Sequence, residues 1–255
     1  MIIRKSPAEI ETMARAGSVV AETLALLEEH VQPGITTGEL DAIAEEFIRS
    51  RGGEPTFKGY RGYPAATCLS PNDMVVHGIP GKTKLQDGDV LSVDVGVTLQ
   101  GFVADSAWTF AVGTIPAEAQ RLLDVCRQAL DAGIAAARPG NHVADISRAV
   151  QTVTEAAGFS VIRSLVGHGV GRSMHEDPQV PNFVSGGKGA ELKEGMTIAI
   201  EPMITAGGPD VYIHDDDWSI STVDGSLAAH FEHTVAVTAE GPRILTTAGA
   251  GVLVP

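Results

Sequence analysis

"LSVDVGVTLQGFVADSAWTF", residues 91–110, reads as two apolar strands joined by a tight loop, and each strand carries one aspartate, Asp94 and Asp105. With Leu99-Gln100 as a two-residue loop, the hairpin places Asp94 directly opposite Asp105. Directly opposed residues have Cβ atoms about 5 Å apart, where like charges are destabilising. Buried carboxylates also carry a desolvation cost unless a cation meets them. No Lys or Arg lies between Leu85 and Gln120 to do so locally. Two readings follow. Either these are a loop aspartate and a capping aspartate in another register, or the two share a divalent cation whose other ligands come from elsewhere.

Outward from this hairpin the chain alternates helices and strands. Ser6-Pro7-Ala8-Glu9 is a capping box with proline at the first helical position, and it opens an apolar-periodic run to His30. Thr36-Thr37-Gly38-Glu39 is a second box, opening a helix that stops before Gly52-Gly53. Residues 54–113 turn to glycine, proline and short β-branched runs, which predict strands. The order then recurs: residues 116–137 and 142–157 predict two helices, and short strands follow Gly158. Two helices then strands, twice over, predict an internal duplication with halves of roughly 1–113 and 114–255, in one large domain or two small ones.

The second half repeats the chemistry of the first. Glu201 interrupts "TIAIEPMI" between Ile200 and Pro202, and Glu232 stands in "HFEHTVAV" between His230 and His233. His168, in "SLVGHGVGRSMHE", lies between Gly167 and Gly169, which allow close backbone approach around a fixed imidazole. The candidate ligand set is Asp94, Asp105, His168, Glu201 and Glu232. Oxygen-rich ligation with one imidazole suits divalent Mn, Fe, Co or Zn and argues against a structural thiolate zinc site. Four carboxylates balance two divalent ions, whereas one ion leaves the cluster negative; paired ions in such sites lie about 3.5–4 Å apart.

Composition excludes several classes. The 255 residues, 44% hydrophobic and 20% charged, can bury a sizeable core. The net charge of −14 opposes binding to a nucleic-acid backbone. The two cysteines, Cys68 and Cys126, make no disulfide framework, and Cys126 sits in a helical core pattern. The N-terminus has no apolar signal core and no stretch approaches a membrane span, so a cytoplasmic protein is expected. "GIPGKT" ends like a phosphate loop, but Val76 stands where the first glycine is required.

Taken together, "VVHGIP", "VDVGV", "GFVADSAWTF", "GHGVGRSMHEDP", "IAIEPM" and "FEHTVAVT" resemble, in order and spacing, the type I methionine aminopeptidases of the pita-bread (creatinase/aminopeptidase-like) fold. The resemblance implies a single α+β catalytic domain spanning 1–255, its two pseudo-symmetric helix-helix-strand halves around a central antiparallel sheet. It implies hydrolytic removal of N-terminal methionine ahead of a small second residue. It implies that Asp105 and Glu232 bridge two metals, that His168 and Glu201 complete one, and that Asp94 chelates the other. His77 and His175 then correspond to a non-ligand pair near the scissile bond, with Glu201 also shuttling a proton. Phe57, Tyr60, Tyr63, Cys68, Met174 and Trp218 match the methionine pocket; Phe57 and Met174 depart from the smaller residue and the aromatic common there. The implied partners are nascent polypeptide N-termini near the ribosome, acted on by a monomer. The rivals are a proline-specific relative of the same fold, which usually carries an extra N-terminal domain, and an inactive binding module, which predicts lost ligands.

Overall fold

Both capping boxes form. Ser6 accepts from the Glu9 N–H while the Glu9 carboxylate takes the Ser6 N–H, opening α1 (Pro7–His30). Thr36 and Glu39 do the same for α2 (Thr37–Ser50). The second pair is α3 (Ala117–Ala135) and α4 (Val143–Ala156). These elements come from a computed structural model that describes residues 1–184, 186–249 and, for the backbone, 252–253. No helix among the described residues is long and apolar enough to cross a membrane.

Strand periodicity decides what faces what. In the Val90–Leu99 strand, Leu91, Val93, Val95 and Val97 join Val20, Leu24 and Leu27 of α1 and Leu40 and Ile48 of α2 in one buried cluster. Successive side chains point to opposite faces, so Asp94 and Gly96 face away from the helices. The second half follows the same logic. In the Thr197–Ile200 and His233–Thr238 strands, Ile198, Ile200, Val235 and Val237 pack with Leu122, Cys126 and Leu130 of α3 and Ile146 of α4. That leaves Ala199, Glu201, Glu232 and Thr234 for the opposite face, where His168 pairs with Ala199 and Ala199 with Thr234.

The hairpin register differs from the expected one. Leu99 pairs with Phe102, so Asp94 lies opposite Ala107 and Asp105 opposite Gly96. The turn residues are Gln100 and Gly101, both with positive φ (52° and 76°). A two-residue hairpin turn of this kind needs φ > 0 at both central positions, which Gly101 adopts freely and Leu99 would not. Because the shift is an even number of residues, both aspartates keep the same face, as diagonal rather than direct neighbours.

The halves meet through hydroxyl groups. The Asp105 N–H donates to Thr234 Oγ1 at 3.0 Å, and that hydroxyl donates back to the Asp105 carbonyl at 2.8 Å. Glu232 N–H reaches the Ala107 carbonyl at 2.9 Å. Thr109 Oγ1 accepts the His230 N–H at 2.9 Å and donates to the His230 carbonyl at 2.8 Å. These bonds set Asp105 beside Glu232 across the seam.

Candidate metal centre and apolar pocket

The faces turned away from the helices converge on one buried polar cluster. Asp105 is 2% exposed and Glu232 1%. His168 Nε2 lies 3.5 Å from Glu201 Oε1 and 3.8 Å from Asp105 Oδ2. Its other nitrogen, Nδ1, stands 2.9 Å from the Gly169 carbonyl, so the ring proton sits there and Nε2 is left with a lone pair directed into the cluster. The flanking glycines are needed: a Cβ at Gly167 would come within 2.5 Å of the Ala199 carbonyl, and one at Gly169 would strike the Asp177 carbonyl. The five residues of the expected ligand set are therefore brought together.

The electrostatics ask for a cation. Asp94 Oδ1, Asp105 Oδ1 and Glu232 Oε1 are buried without a hydrogen-bond partner among the described residues. Burial pushes the Glu201 carboxyl up to about 8 and that of Asp94 up to about 6. Burial and the neighbouring carboxylates hold Asp105 and Glu232 well above the usual carboxylate range. Burial depresses His168 to about 3, leaving the neutral imidazole that a metal binds. Orphaned buried oxygens, crowded like charges and a lone-pair nitrogen together fit a site for divalent metal ions.

Above the cluster lies a cavity of about 310 Å³. Phe57, Tyr63, Cys68 and Met174 form one buried apolar group, with Tyr60 and Trp218 packed against it. The Tyr63 and Trp218 rings meet edge-on at 5.0 Å. Phe57 fits because residue 96 is glycine: a Cβ there would lie 2.8 Å from its ring. Both expected non-ligand histidines border the same cavity. His77, held at φ 60°, meets Trp218 edge-on at 6.4 Å, and burial keeps its imidazole neutral by lowering it to about 4. The His175 ring is 4.3 Å from that of His168, and its Nδ1 is 2.8 Å from the Tyr60 hydroxyl.

The loop carrying His175 is tied down by its neighbour Glu176. That carboxylate receives the Arg172 N–H at 2.8 Å and the Ser173 N–H at 3.2 Å, and it pairs with Lys5 Nζ. Both side chains of the ion pair are buried, 3% exposed for Lys5 and 7% for Glu176.

Residues 11–239 match the model of metallopeptidase family M24. The chain belongs to this family. It is 51% identical to the methionine aminopeptidase of Clostridium perfringens, over 96% of this chain and 99% of that one. The crystal structure of methionine aminopeptidase from Thermotoga maritima superposes with a TM-score of 0.95 at 45% identity, covering 97% of this chain and 100% of that one. A prolidase from Pyrococcus furiosus shares the fold, with a TM-score of 0.78 at 23% identity, but this chain covers only 65% of it. The pita-bread architecture expected from the sequence is the one present, and M24 membership makes divalent metal binding its chemistry.

In this M24 chain the cluster contains one residue that sequence reasoning passed over. His230 is 2% exposed, and its Nε2 stands 3.5 Å from Glu201 Oε2 and 3.9 Å from Glu232 Oε2. A signal was present. His230 precedes Glu232 by two positions, and in extended chain that spacing puts both on one side. His233 has the opposite parity, and its Nδ1 lies 2.8 Å from Thr246 Oγ1 instead.

Proposed function

We infer that this protein is a methionyl aminopeptidase, a metal-dependent hydrolase that removes the N-terminal methionine from polypeptides. The observation that carries the reading is a buried cluster of four carboxylates with His168 and His230, at the floor of an apolar pocket that His77 and His175 also border. In full, the reading has two divalent ions, of Fe, Mn, Co or Zn, held by Asp94, Asp105, His168, Glu201 and Glu232. When bound, such ions supply Lewis acidity that activates water and polarises the scissile carbonyl.

The residues around them do the rest. Phe57, Tyr60, Tyr63, Cys68, Met174 and Trp218 enclose the methionine side chain, whose sulfur gains from aromatic edges. Asp94 lies on the side where the free α-amine is received, which restricts cleavage to chain ends. The Tyr60 hydroxyl and His175 Nδ1 share a hydrogen bond of 2.8 Å; with the hydroxyl as its donor, the Nε2–H of a neutral His175 is the donor for negative charge developing on the carbonyl oxygen. Burial and the Arg61 guanidinium keep His175 below its ordinary value and therefore neutral. His77, packed against Trp218, positions the substrate as well. Glu201, beside the reacting atoms as well as a ligand, carries a proton toward the leaving amine. A small second residue is preferred, as the resemblance to the type I enzymes implies.

The whole chain acts as one catalytic unit built of two related halves, roughly 1–113 and 114–255. It works as a cytoplasmic monomer on nascent N-termini near the ribosome, without binding nucleic acid through its acidic surface. Release of methionine from Met-Ala-Ser peptides across a panel of metals tests this reading. Efficient cleavage of Xaa-Pro peptides whatever the first residue would favour the prolidase-like alternative.

A further inference from the structure

His230 is as deeply buried as Asp105 and Glu232. Its backbone N–H and carbonyl are both bonded to Thr109 Oγ1, which fixes where the ring starts. Its Nε2 is buried and has no hydrogen-bond partner among the described residues. A buried imidazole that serves only packing satisfies its nitrogens with hydrogen bonds. Here the neighbours of Nε2 are carboxylate oxygens at 3.5 Å and 3.9 Å, beyond good hydrogen-bond length. Donors each about 2.0–2.2 Å from one ion stand roughly 3.0–3.6 Å apart. His168 shows nearly the same separations from its carboxylates, 3.5 Å and 3.8 Å. Glu201 thus offers Oε1 to one imidazole and Oε2 to the other. Two sets of donors have atoms close enough to share an ion: Asp105, His168 and Glu232, and Glu201, His230 and Glu232.

We propose that His230 is a sixth protein ligand of this centre, so that each of two ions takes one imidazole. The inference deepens the metallopeptidase reading and rests on it. A second imidazole shifts preference toward Fe, Co and Zn and away from the carboxylate-loving Mg and Mn.

Cobalt X-ray absorption on metal-stripped protein reloaded with two equivalents of Co(II) tests the proposal. The expected count is two imidazoles per two cobalt ions in the wild type, falling to one in His230→Gln and to one in His168→Asn. Glutamine keeps a hydrogen-bond donor near Glu201 but is a poor ligand, so it separates ligation from simple positioning. The weaker cobalt Kd should rise at least about tenfold in His230→Gln, the loss that follows when even an outer partner of a ligand is removed. The wild-type count decides the matter even if a variant does not fold. Two cobalts with a single imidazole overturn the His230 proposal alone, and wild-type protein that retains no cobalt overturns the metallopeptidase reading with it.

Discussion

The Tyr60 hydroxyl lies 2.8 Å from Nδ1 of His175, so a hydrogen bond ties a pocket residue to a neighbouring imidazole. A neutral hydrogen bond is worth about 0.5–1.5 kcal/mol. Tyr60→Phe should therefore lower kcat by roughly 2- to 12-fold, while His175→Ala, which removes the donor itself, should lower it by roughly 10²–10³. Metal content should be normal in both variants. Elemental analysis beside steady-state kinetics checks this, and a metal-poor His175→Ala protein would make that residue a ligand instead.

Asp105 and Glu232 sit side by side at the seam between the halves, so losing either should affect more than one ion. Asp105→Ala and Glu232→Ala should each lose most bound metal and most activity. Full activity of either variant in chelator-treated buffer would sink the dinuclear reading.

The crowded carboxylates make the metal-stripped protein sensitive to pH. Folding raises Glu201 from 4.5 to about 8 and Asp94 from 3.8 to about 6. Between those values these two carboxyls hold more protons folded than unfolded, which lowers stability as pH rises. His77 and His168, depressed from 6.5 to about 4 and about 3, act in the opposite sense until the unfolded imidazoles have lost their protons at about pH 6.5. The Tm of metal-stripped protein should therefore decline from about pH 6.5 to about pH 8, and two equivalents of divalent metal should flatten that decline. A Tm independent of pH in the stripped protein would show that the carboxylates are relieved by something else.

Gly96 gives Phe57 its place, since a Cβ would stand 2.8 Å from the ring. Gly96→Ala should push that ring into the pocket and cost methionyl substrates roughly 10-fold or more in kcat/KM, the scale of one misplaced methylene. Norleucine should replace methionine with little loss in the wild type. Unchanged selectivity between methionyl and norvalyl peptides in Gly96→Ala would place the pocket elsewhere.

Much of this arrangement is legible in the residues because burial leaves few options. Leu91, Val93, Val95 and Val97 alternate with Asp94, so the acid must face whatever the helices do not cover, and the same holds for Ile198 and Ile200 beside Glu201. Capping boxes at Ser6 and Thr36 mark helix starts by local hydrogen bonding alone. The hairpin register is less visible, because it turns on which of three adjacent residues tolerate positive φ, and Gly101 rather than Leu99 decides it. His230 stayed hidden for another reason. A histidine beside an acid is common on surfaces, so its two-residue spacing from Glu232 carries little weight until the fold sets Nε2 against Glu201 and Glu232.

The buried Lys5–Glu176 pair links the start of the chain to the loop carrying His175. Lys5 N–H also bonds the Gly195 carbonyl at 2.6 Å. Removing one member of a buried pair costs about 3–5 kcal/mol, so residues 3–6 and 171–176 cannot open separately without exposing an unmatched charge. They should behave as one cooperative unit in hydrogen exchange, with amides on both segments protected to the same opening free energy. Lys5→Met would then loosen a loop far away in sequence while leaving α3 and α4 as slow to exchange as before. Opening of the segment around His175 would then be set by a side chain some 170 residues away in sequence.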